Sequence, residues 1–243
     1  PSSPANTVTD IGEMAFYACR NLYSITLPEG LISIGSNAFY NCSSLSNIDI
    51  PASLSSIGET AFDGCNSLTK VNITDITAWC RITFSGYESN PLYYARRVYV
   101  NGLFVEQLEI PEGTDIISDY AFYNCYDLST VTIPGSVKTI GDYAFYYCYY
   151  LTGLTLKEGI ESIGEQAFGN CSSLNSVTIP GSVKTIGDNA FFCCYALTNL
   201  TIQEGVESIG NNAFRECYSL ESVTSYVTDV FETGYGAFYE IAT

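Results

Sequence analysis

The residues with the most potential chemistry in this sequence are its ten cysteines. Eight of them share one setting, three residues after a phenylalanine and three before a leucine: Cys19, Cys42, Cys65, Cys125, Cys148, Cys171, Cys194 and Cys217. Cysteines at a fixed spacing can form a disulfide framework or hold a zinc ion. The chain has no histidine and no C-x-x-C pair, so a metal site is disfavoured.

Disulfides among these eight cysteines are disfavoured by their regular recurrence. Equivalent residues of stacked repeats lie in a row about 4.8 Å apart and point the same way, whereas a disulfide needs side chains that face each other. The sequence therefore predicts a buried column of free thiols that pack as small apolar groups. Because only one of the adjacent Cys193 and Cys194 can face inward, Cys193 is predicted to be an exposed thiol.

Catalytic groups are otherwise scarce. Without histidine the chain lacks the commonest general base, and it has neither a G-x-S-x-G motif nor a phosphate-binding glycine loop. Carboxylates such as Asp49 and Glu109 have the setting of ordinary exposed acids. The sequence predicts no enzyme activity, no catalytic residue, no cofactor and no metal.

A repeat positions the cysteines. An Ala-Phe pair recurs every 23 residues except across one gap of 60, with its phenylalanines at Phe16, Phe39, Phe62, Phe122, Phe145, Phe168, Phe191 and Phe214, and with a weaker copy at Phe238. A fixed period of this length is typical of a solenoid. Each repeat reads as a short strand, a turn, a second extended piece and one helical turn, the last with Ala144, Phe145 and Cys148 on one side.

The repeats carry a family resemblance. The pattern L-x-x-L-x-L-x-x-x-L, present at Leu45, Ile48, Ile50 and Leu54, resembles the leucine-rich repeat signature. The 23-residue extension with I-G-x-x-A-F-x-x-C resembles the BspA-like subclass of bacterial surface leucine-rich repeat proteins. The resemblance implies an α/β repeat solenoid, a curved right-handed superhelix with a parallel concave β-sheet and short helical turns. It also implies secretion and binding roles such as adhesion to host matrix proteins.

The domain organisation follows the repeats. We expect a linker or edge at residues 1–10, the solenoid at 11–224 with a structured insertion at about 75–107, and a degenerate repeat or cap at 225–243. In the insertion, Asn90 and Pro91 predict a helix start and Asn101-Gly102 predicts a hairpin. Two interpretations stay open: a decorated repeat with Trp79 in the core, or a protruding recognition element.

Charge limits the partners. Nine basic and 26 acidic residues give a net charge of −17, which disfavours nucleic acids and anionic membranes. The sequence has no run of about 18 apolar residues, so membrane insertion is not predicted. One repeat position alternates in sign, with Lys138, Glu161, Lys184 and Glu207 each 23 residues apart. Stacking would make these opposite charges neighbours.

Two surfaces are candidates for partner binding. The first is the concave face, formed by outward strand positions: Asp49, Asn72, Glu109, Thr132, Thr155, Thr178, Thr201 and Thr224. The second is aromatic: Tyr126, Tyr146, Tyr149, Tyr195 and Tyr218. Each has a structural alternative, because threonine favours exposed strands and tyrosine can simply cover the edges of a repeat.

The sequence thus predicts a non-enzymatic, secreted or surface-displayed binding module, with an extracellular or host protein as partner and adhesion as its role. A spacer or stalk within a longer surface protein and a glycan-binding module are the alternatives. We expect an extracellular or cell-surface location, with the signal peptide absent from this chain. The oligomeric state does not follow from the sequence.

Overall fold

The computed structural model describes residues 8–227 and 232–241. The chain divides into two compact units, residues 1–104 and 105–243. In both units parallel strands pair in register with strands about 23 residues away. The predicted parallel-sheet solenoid is confirmed, and each repeat forms one coil of it.

The N-terminal unit has two sheets. Its strands are β1 (Asp10–Ile11), β2 (Ser24–Ile25), β3 (Ser33–Ile34), β4 (Asn47–Ile50), β5 (Ser56–Ile57), β6 (Lys70–Ile73), β7 (Thr83–Phe84), β8 (Val98–Val100) and β9 (Leu103–Val105). The long-strand sheet has the order β2-β4-β6-β8-β9 and the short-strand sheet the order β1-β3-β5-β7. The coils thus contribute strands to both sheets, and the hairpin strands β8 and β9 both belong to the long-strand sheet.

The C-terminal unit repeats this plan. Its strands are β10 (Gln107–Glu109), β11 (Ile116–Ile117), β12 (Thr130–Ile133), β13 (Thr139–Ile140), β14 (Gly153–Leu156), β15 (Ser162–Ile163), β16 (Ser176–Ile179), β17 (Thr185–Ile186), β18 (Asn199–Ile202), β19 (Ser208–Ile209), β20 (Ser222–Ser225) and β21 (Glu232–Thr233). The even-numbered strands form the long-strand sheet and the odd-numbered strands the short-strand sheet.

The turn after each short strand differs from the expected helical turn. Tyr143 and Tyr147 have left-handed φ angles of 57° and 62°. Phe145 N donates to Ala167 O of the next coil at 2.7 Å, and the following amide, Tyr146 N, donates back to Tyr143 O at 3.2 Å. A helix would keep all these bonds within one segment. The alternation instead ties successive coils of this kind within each unit to one another through the backbone.

A column of phenylalanine rings fills the core. Phe168 is fully buried and stacks on Phe145 and Phe191, with ring centroids 5.3 and 5.2 Å away. Equivalent stacks join the repeat phenylalanines within the N-terminal unit. Since a lone coil could not bury such a ring on both faces, the core exists only through stacking.

The cysteine column lies beside the phenylalanines. All ten cysteines are free. Cys148 Sγ donates to Phe122 O of the preceding coil at 3.4 Å. The same bond is made by the other buried repeat cysteines, wherever a coil of the same unit precedes them. The prediction of buried free thiols is confirmed except at Cys19, which is exposed because it belongs to the first described coil.

The prediction of an exposed Cys193 is wrong. Its side chain is 4% exposed, and its Sγ donates to Glu216 Oε2 at 3.3 Å. A left-handed φ of 59° lets Cys193 turn toward the following coil while Cys194 faces the core. Burial raises the pKa of the Cys193 thiol to about 11, and the Glu216 carboxylate adds to that rise.

The buried thiols predict a loss of stability in alkali. Burial raises the pKa of Cys65 from 9.0 to about 12, so its thiol stabilises the fold fully below about pH 9 and progressively less as pH rises toward 12. We expect the urea midpoint to fall between about pH 8 and pH 10.5. Replacing Cys65, Cys148 and Cys171 by alanine should flatten that fall. The same fall in the triple variant would contradict this account.

The alternating charges pair as predicted. Lys138 Nζ lies 3.2 Å from Glu161 Oε1, and Lys184 Nζ lies 3.4 Å from Glu207 Oε1. All four side chains are about half exposed or more. Exposed pairs of this kind each contribute about 0.2–1 kcal/mol, so the alternation mainly avoids repulsion between like charges.

The insertion contains two short helices. Helix α1 (Ile76–Cys80) starts at Asp75, whose Oδ1 accepts a hydrogen bond from Ala78 N at 3.0 Å. Trp79 is 1% exposed and packs on Phe84 with ring centroids 5.2 Å apart, which confirms its place in the core. Helix α2 (Leu92–Ala95) follows a 3₁₀ turn at Tyr87–Ser89.

The predicted hairpin is present, and α2 starts at Leu92, one residue after the predicted Pro91. Asn90 Oδ1 accepts a hydrogen bond from Leu92 N at 2.8 Å. Asn101 and Gly102 have φ angles of 49° and 82° between β8 and β9. Positive φ at both positions is what a tight two-residue hairpin requires.

Candidate binding surface

The outward face of the long-strand sheet carries a regular ladder in the C-terminal unit. In β16, Val177 and Ile179 are buried whereas Ser176 and Thr178 are exposed. Strands β12 and β18 repeat this alternation with outward residues that are half-buried or exposed, because successive side chains point to opposite faces of a sheet. In the last strand of the sheet, β20, all four residues are exposed. The predicted outward residues pair in register, Glu109 with Thr132, Thr132 with Thr155, Thr178 with Thr201 and Thr201 with Thr224.

A second row lies beside this ladder on the same face. It comprises the residues two positions earlier in each strand: Gln107, Thr130, Gly153, Ser176, Asn199 and Ser222. None of them is charged, and in the threonine row only Glu109 is. The face is therefore a regular array of hydroxyl, methyl and amide groups on an otherwise acidic protein.

The N-terminal unit presents a different long-strand face. An open depression there is lined by Tyr23, Ser46, Asn47, Asp49, Thr69 and Lys70. Lys70 Nζ lies 5.2 Å from the centre of the Tyr99 ring, a cation–π contact. Sequence reasoning missed Tyr99 because its register on Asn72 depends on how the insertion folds.

Asn72 has a structural task as well. Its Oδ1 accepts a hydrogen bond from Gly102 N at 2.7 Å, which fastens the hairpin turn to the sheet. Of the predicted site residues in this unit, Asp49 is exposed and lines the depression. The structure therefore places Asp49 on an accessible surface and Asn72 partly beneath the hairpin.

The predicted aromatic surface consists of stacked pairs. Tyr126 stacks on Tyr149 at 5.3 Å, and Tyr195 stacks on Tyr218 at 5.6 Å. Tyr149, Tyr195 and Tyr218 are 40–52% exposed. Tyr146 is not part of either pair: it is half-buried in a neighbouring row, and burial raises the pKa of its hydroxyl.

One tyrosine near the aromatic surface has a perturbed hydroxyl. Burial raises the pKa of the Tyr143 hydroxyl to about 12, with Glu165 contributing, and a raised pKa weakens a potential nucleophile. Within residues 8–227 and 232–241, no group of three or more acidic or cysteine side chains is arranged to hold a metal. Over the same residues, no helix is long and apolar enough to cross a membrane.

Comparison with known proteins agrees with this architecture. A family model described as the BspA type leucine rich repeat region matches residues 2–90 and 95–221, in six copies. The chain matches no curated protein significantly.

Two solved structures show the same fold. A leucine-rich repeat protein from Bacteroides ovatus is 24% identical, with 96% of this chain and 68% of that one covered and a TM-score of 0.58. A leucine rich cell surface protein from Faecalibacterium prausnitzii is also 24% identical, with coverages of 90% and 77% and a TM-score of 0.55. At this identity the likeness extends to the fold alone.

Proposed function

Because this chain belongs to the BspA-type leucine-rich repeat family, we propose that it is a non-enzymatic module that binds another protein through the outward face of its long-strand sheet. The observation that carries the proposal is the two-row face of the C-terminal unit, whose residues are half-exposed or exposed, regularly spaced and nearly free of charge. A partner can cover such a face with little cost of desolvating charged groups.

The chemistry of this face suits a protein surface. Threonine side chains offer a methyl group for apolar contact and a hydroxyl that can both donate and accept hydrogen bonds. Thr155 and Thr178 are both exposed and lie in neighbouring coils of one sheet. Their rigid strands hold them in place, so little conformational entropy is lost when a partner binds.

A proposal for the place of action is supported by the comparisons. The Faecalibacterium prausnitzii structure is that of a cell surface protein, and this chain shares its fold. We propose an extracellular or surface-displayed location, with adhesion to a host or matrix protein as the biological role. The net charge of −17 favours basic partners over nucleic acids or anionic membranes.

The test is binding of the purified chain to an array of extracellular matrix proteins and glycans. The variant Thr155→Arg with Thr178→Arg adds bulk and charge to the outward face and should weaken a protein hit about tenfold or more. The matched control is Thr185→Arg with Ser208→Arg, which adds the same groups to register partners of the short-strand sheet.

The expected result is a protein hit that the control variant retains within about twofold and the face variant loses. A hit that survives in the face variant would contradict the assigned surface. Binding to glycans alone would contradict a protein partner. Binding to nothing on the array would favour the spacer.

A further inference from the structure

One row of the C-terminal unit has a missing member. The residues that directly follow the repeat cysteines are Tyr126, Tyr149, Ser172, Tyr195 and Tyr218, one in each successive coil. Tyrosine occupies four of the five positions, and the only small residue stands in the middle. The row is therefore two pairs of rings separated by one coil without a ring.

Strand spacing gives an estimate of the width of this gap. Within the pairs, ring centroids lie 5.3 and 5.6 Å apart and the rings are parallel to within 8° and 2°. Tyr149 and Tyr195 are two coils apart, and two strand spacings amount to about 10 Å. One flat group over Ser172 could thus contact both rings at the distance at which the protein's own rings stack.

The contacts of two side chains at this gap lie outside it. Tyr150 packs toward the preceding coil, with its ring 4.8 Å from Tyr126 and 5.3 Å from Tyr149. The Ser172 hydroxyl reaches only backbone carbonyls, at 3.4 and 3.5 Å. Both flanking rings, Tyr149 and Tyr195, are 40% exposed. Both rings are therefore partly accessible from outside the protein.

A nearby gap behaves differently and serves as a comparison. In the row that follows the repeat phenylalanines, the same coil carries Gly169. A Cβ added there would lie 2.8 Å from ring atoms of Tyr146, so Tyr146 already covers that position. The protein thus covers the position at Gly169 with the ring of Tyr146. No ring is recorded over Ser172 in the part of the chain that the structure describes.

The protein itself shows which group can replace a ring. In the row of Gly169, Arg215 stands between Phe192 and Tyr239, with its guanidinium carbon 5.9 and 5.6 Å from the two ring centroids. Its Nη2 lies 3.4 Å from Glu216 Oε1. A guanidinium is planar and stacks on aromatic faces, so it fits a position that rings occupy elsewhere.

Charge favours the same group in the Ser172 gap. Residues 105–243 contain four basic and 18 acidic residues, a net charge of −14. Glu216 belongs to the coil next to Tyr195, and its carboxylate accepts from Cys193 in the coil of Tyr195. A cation entering between Tyr149 and Tyr195 gains from this field, whereas an anion is repelled.

We propose that the gap over Ser172, between Tyr149 and Tyr195, binds an arginine side chain of the partner protein. This inference rests on the proposed function and names the partner's chemistry. The row lies a few residues before the long strands β14, β16 and β18 begin, so one partner could place an arginine here and contact the outward face as well.

The test is a titration of the full chain, with tyrosine ring protons labelled for NMR, by a capped Gly-Arg-Gly peptide. The peptides Gly-Lys-Gly and Gly-citrulline-Gly and a methyl glucoside are the comparison probes. The expected result is saturable shifts confined to tyrosines of this row with the arginine peptide, and at least fivefold weaker effects with the other three. Equal effects from citrulline or the glucoside would overturn the assignment to a guanidinium.

The variant Ser172→Tyr completes the row with the residue that the other coils carry, so it should stay folded. It should abolish the arginine-dependent shifts, whereas Thr185→Tyr on the short-strand sheet should leave them unchanged. Retained binding in a folded Ser172→Tyr variant would overturn the proposal.

If Ser172→Tyr also captures the protein partner as well as wild type does, this inference fails while the proposed function stands. If the arginine peptide binds at the gap but no protein partner is found, the gap would stand as an arginine-binding site and the proposed function would be overturned.

Discussion

Replacing Phe168 with alanine is expected to lower the free energy of unfolding by about 3–5 kcal/mol, the usual cost of truncating a buried phenylalanine. Phe168 is fully buried and has a stacked ring on each side, at 5.3 and 5.2 Å. The cavity would lie in the middle of a column whose coils contact only their neighbours. Relaxation around it would require whole coils to move closer, which the backbone hydrogen bonds between coils resist.

The matched control is the same substitution at the last ring of the column. Phe238 is half-buried and stacks on Phe214 at 5.4 Å. Phe238→Ala should cost less than half as much as Phe168→Ala in a urea titration. Equal costs at the two positions would show that stacking between coils is not the main source of stability.

Replacing Gly187 with alanine is expected to cost about 3 kcal/mol, the upper part of the range for overpacking. A Cβ at Gly187 would lie 2.6 Å from Glu165 N, 2.6 Å from the carbonyl carbon of Gly164 and 2.8 Å from Gly164 O. These are backbone atoms of the preceding coil, which cannot rotate away as a side chain could. The glycine of the I-G motif is thus required because two backbones touch there.

The control is Gly12, which holds the same motif position in the first described coil. A Cβ at Gly12 would meet no atom within 4 Å. Gly12→Ala should change the midpoint of thermal unfolding by less than about 2 °C, whereas Gly187→Ala should lower it by about 6 °C or more. A tolerated Gly187→Ala would contradict the close approach of coils at this glycine.

The 23-residue period made much of the fold predictable. It fixes which residues become neighbours, and the phenylalanine column, the cysteine column and the pairing of Lys138 with Glu161 all follow from that alone. Period and side-chain type do not determine the backbone between neighbours. With Tyr143 and Tyr147 in the left-handed region, the backbone amides of this turn bond alternately within their own coil and to the next coil. The local pattern of apolar residues alone predicts a helical turn for the same segment.

The one cysteine prediction that is wrong, and two features that the sequence did not predict, depend on contacts between coils or within the insertion. Cys193 is covered by Glu216, and nothing within its own repeat reveals that contact. Helix α1 is five residues long, too short for a periodic signal, although Asp75 is a recognisable cap. The Tyr99 contact with Lys70 depends on the register of β8, which the folded hairpin sets.

The candidate site was predictable to a different extent. The outward threonines follow directly from strand alternation, and the structure places them in register. The gap at Ser172 has a signal in the sequence, since tyrosine follows the cysteine in the two repeats on either side. The sequence carries no signal for where the Tyr150 ring lies, and that ring packs toward the preceding coil, away from Ser172. Composition alone cannot distinguish an open gap from the one that Tyr146 covers at Gly169.

The most direct test of the central claim is photo-crosslinking to the captured partner from single positions on the two surfaces. A photoreactive side chain at Thr178 lies on the outward face of the long-strand sheet, and one at Glu161, whose side chain is 61% exposed, lies beside the short-strand sheet. We predict crosslinks to the partner from Thr178 and none from Glu161. Crosslinks from Glu161 alone, or from neither position while the partner stays bound, would contradict binding through the long-strand face.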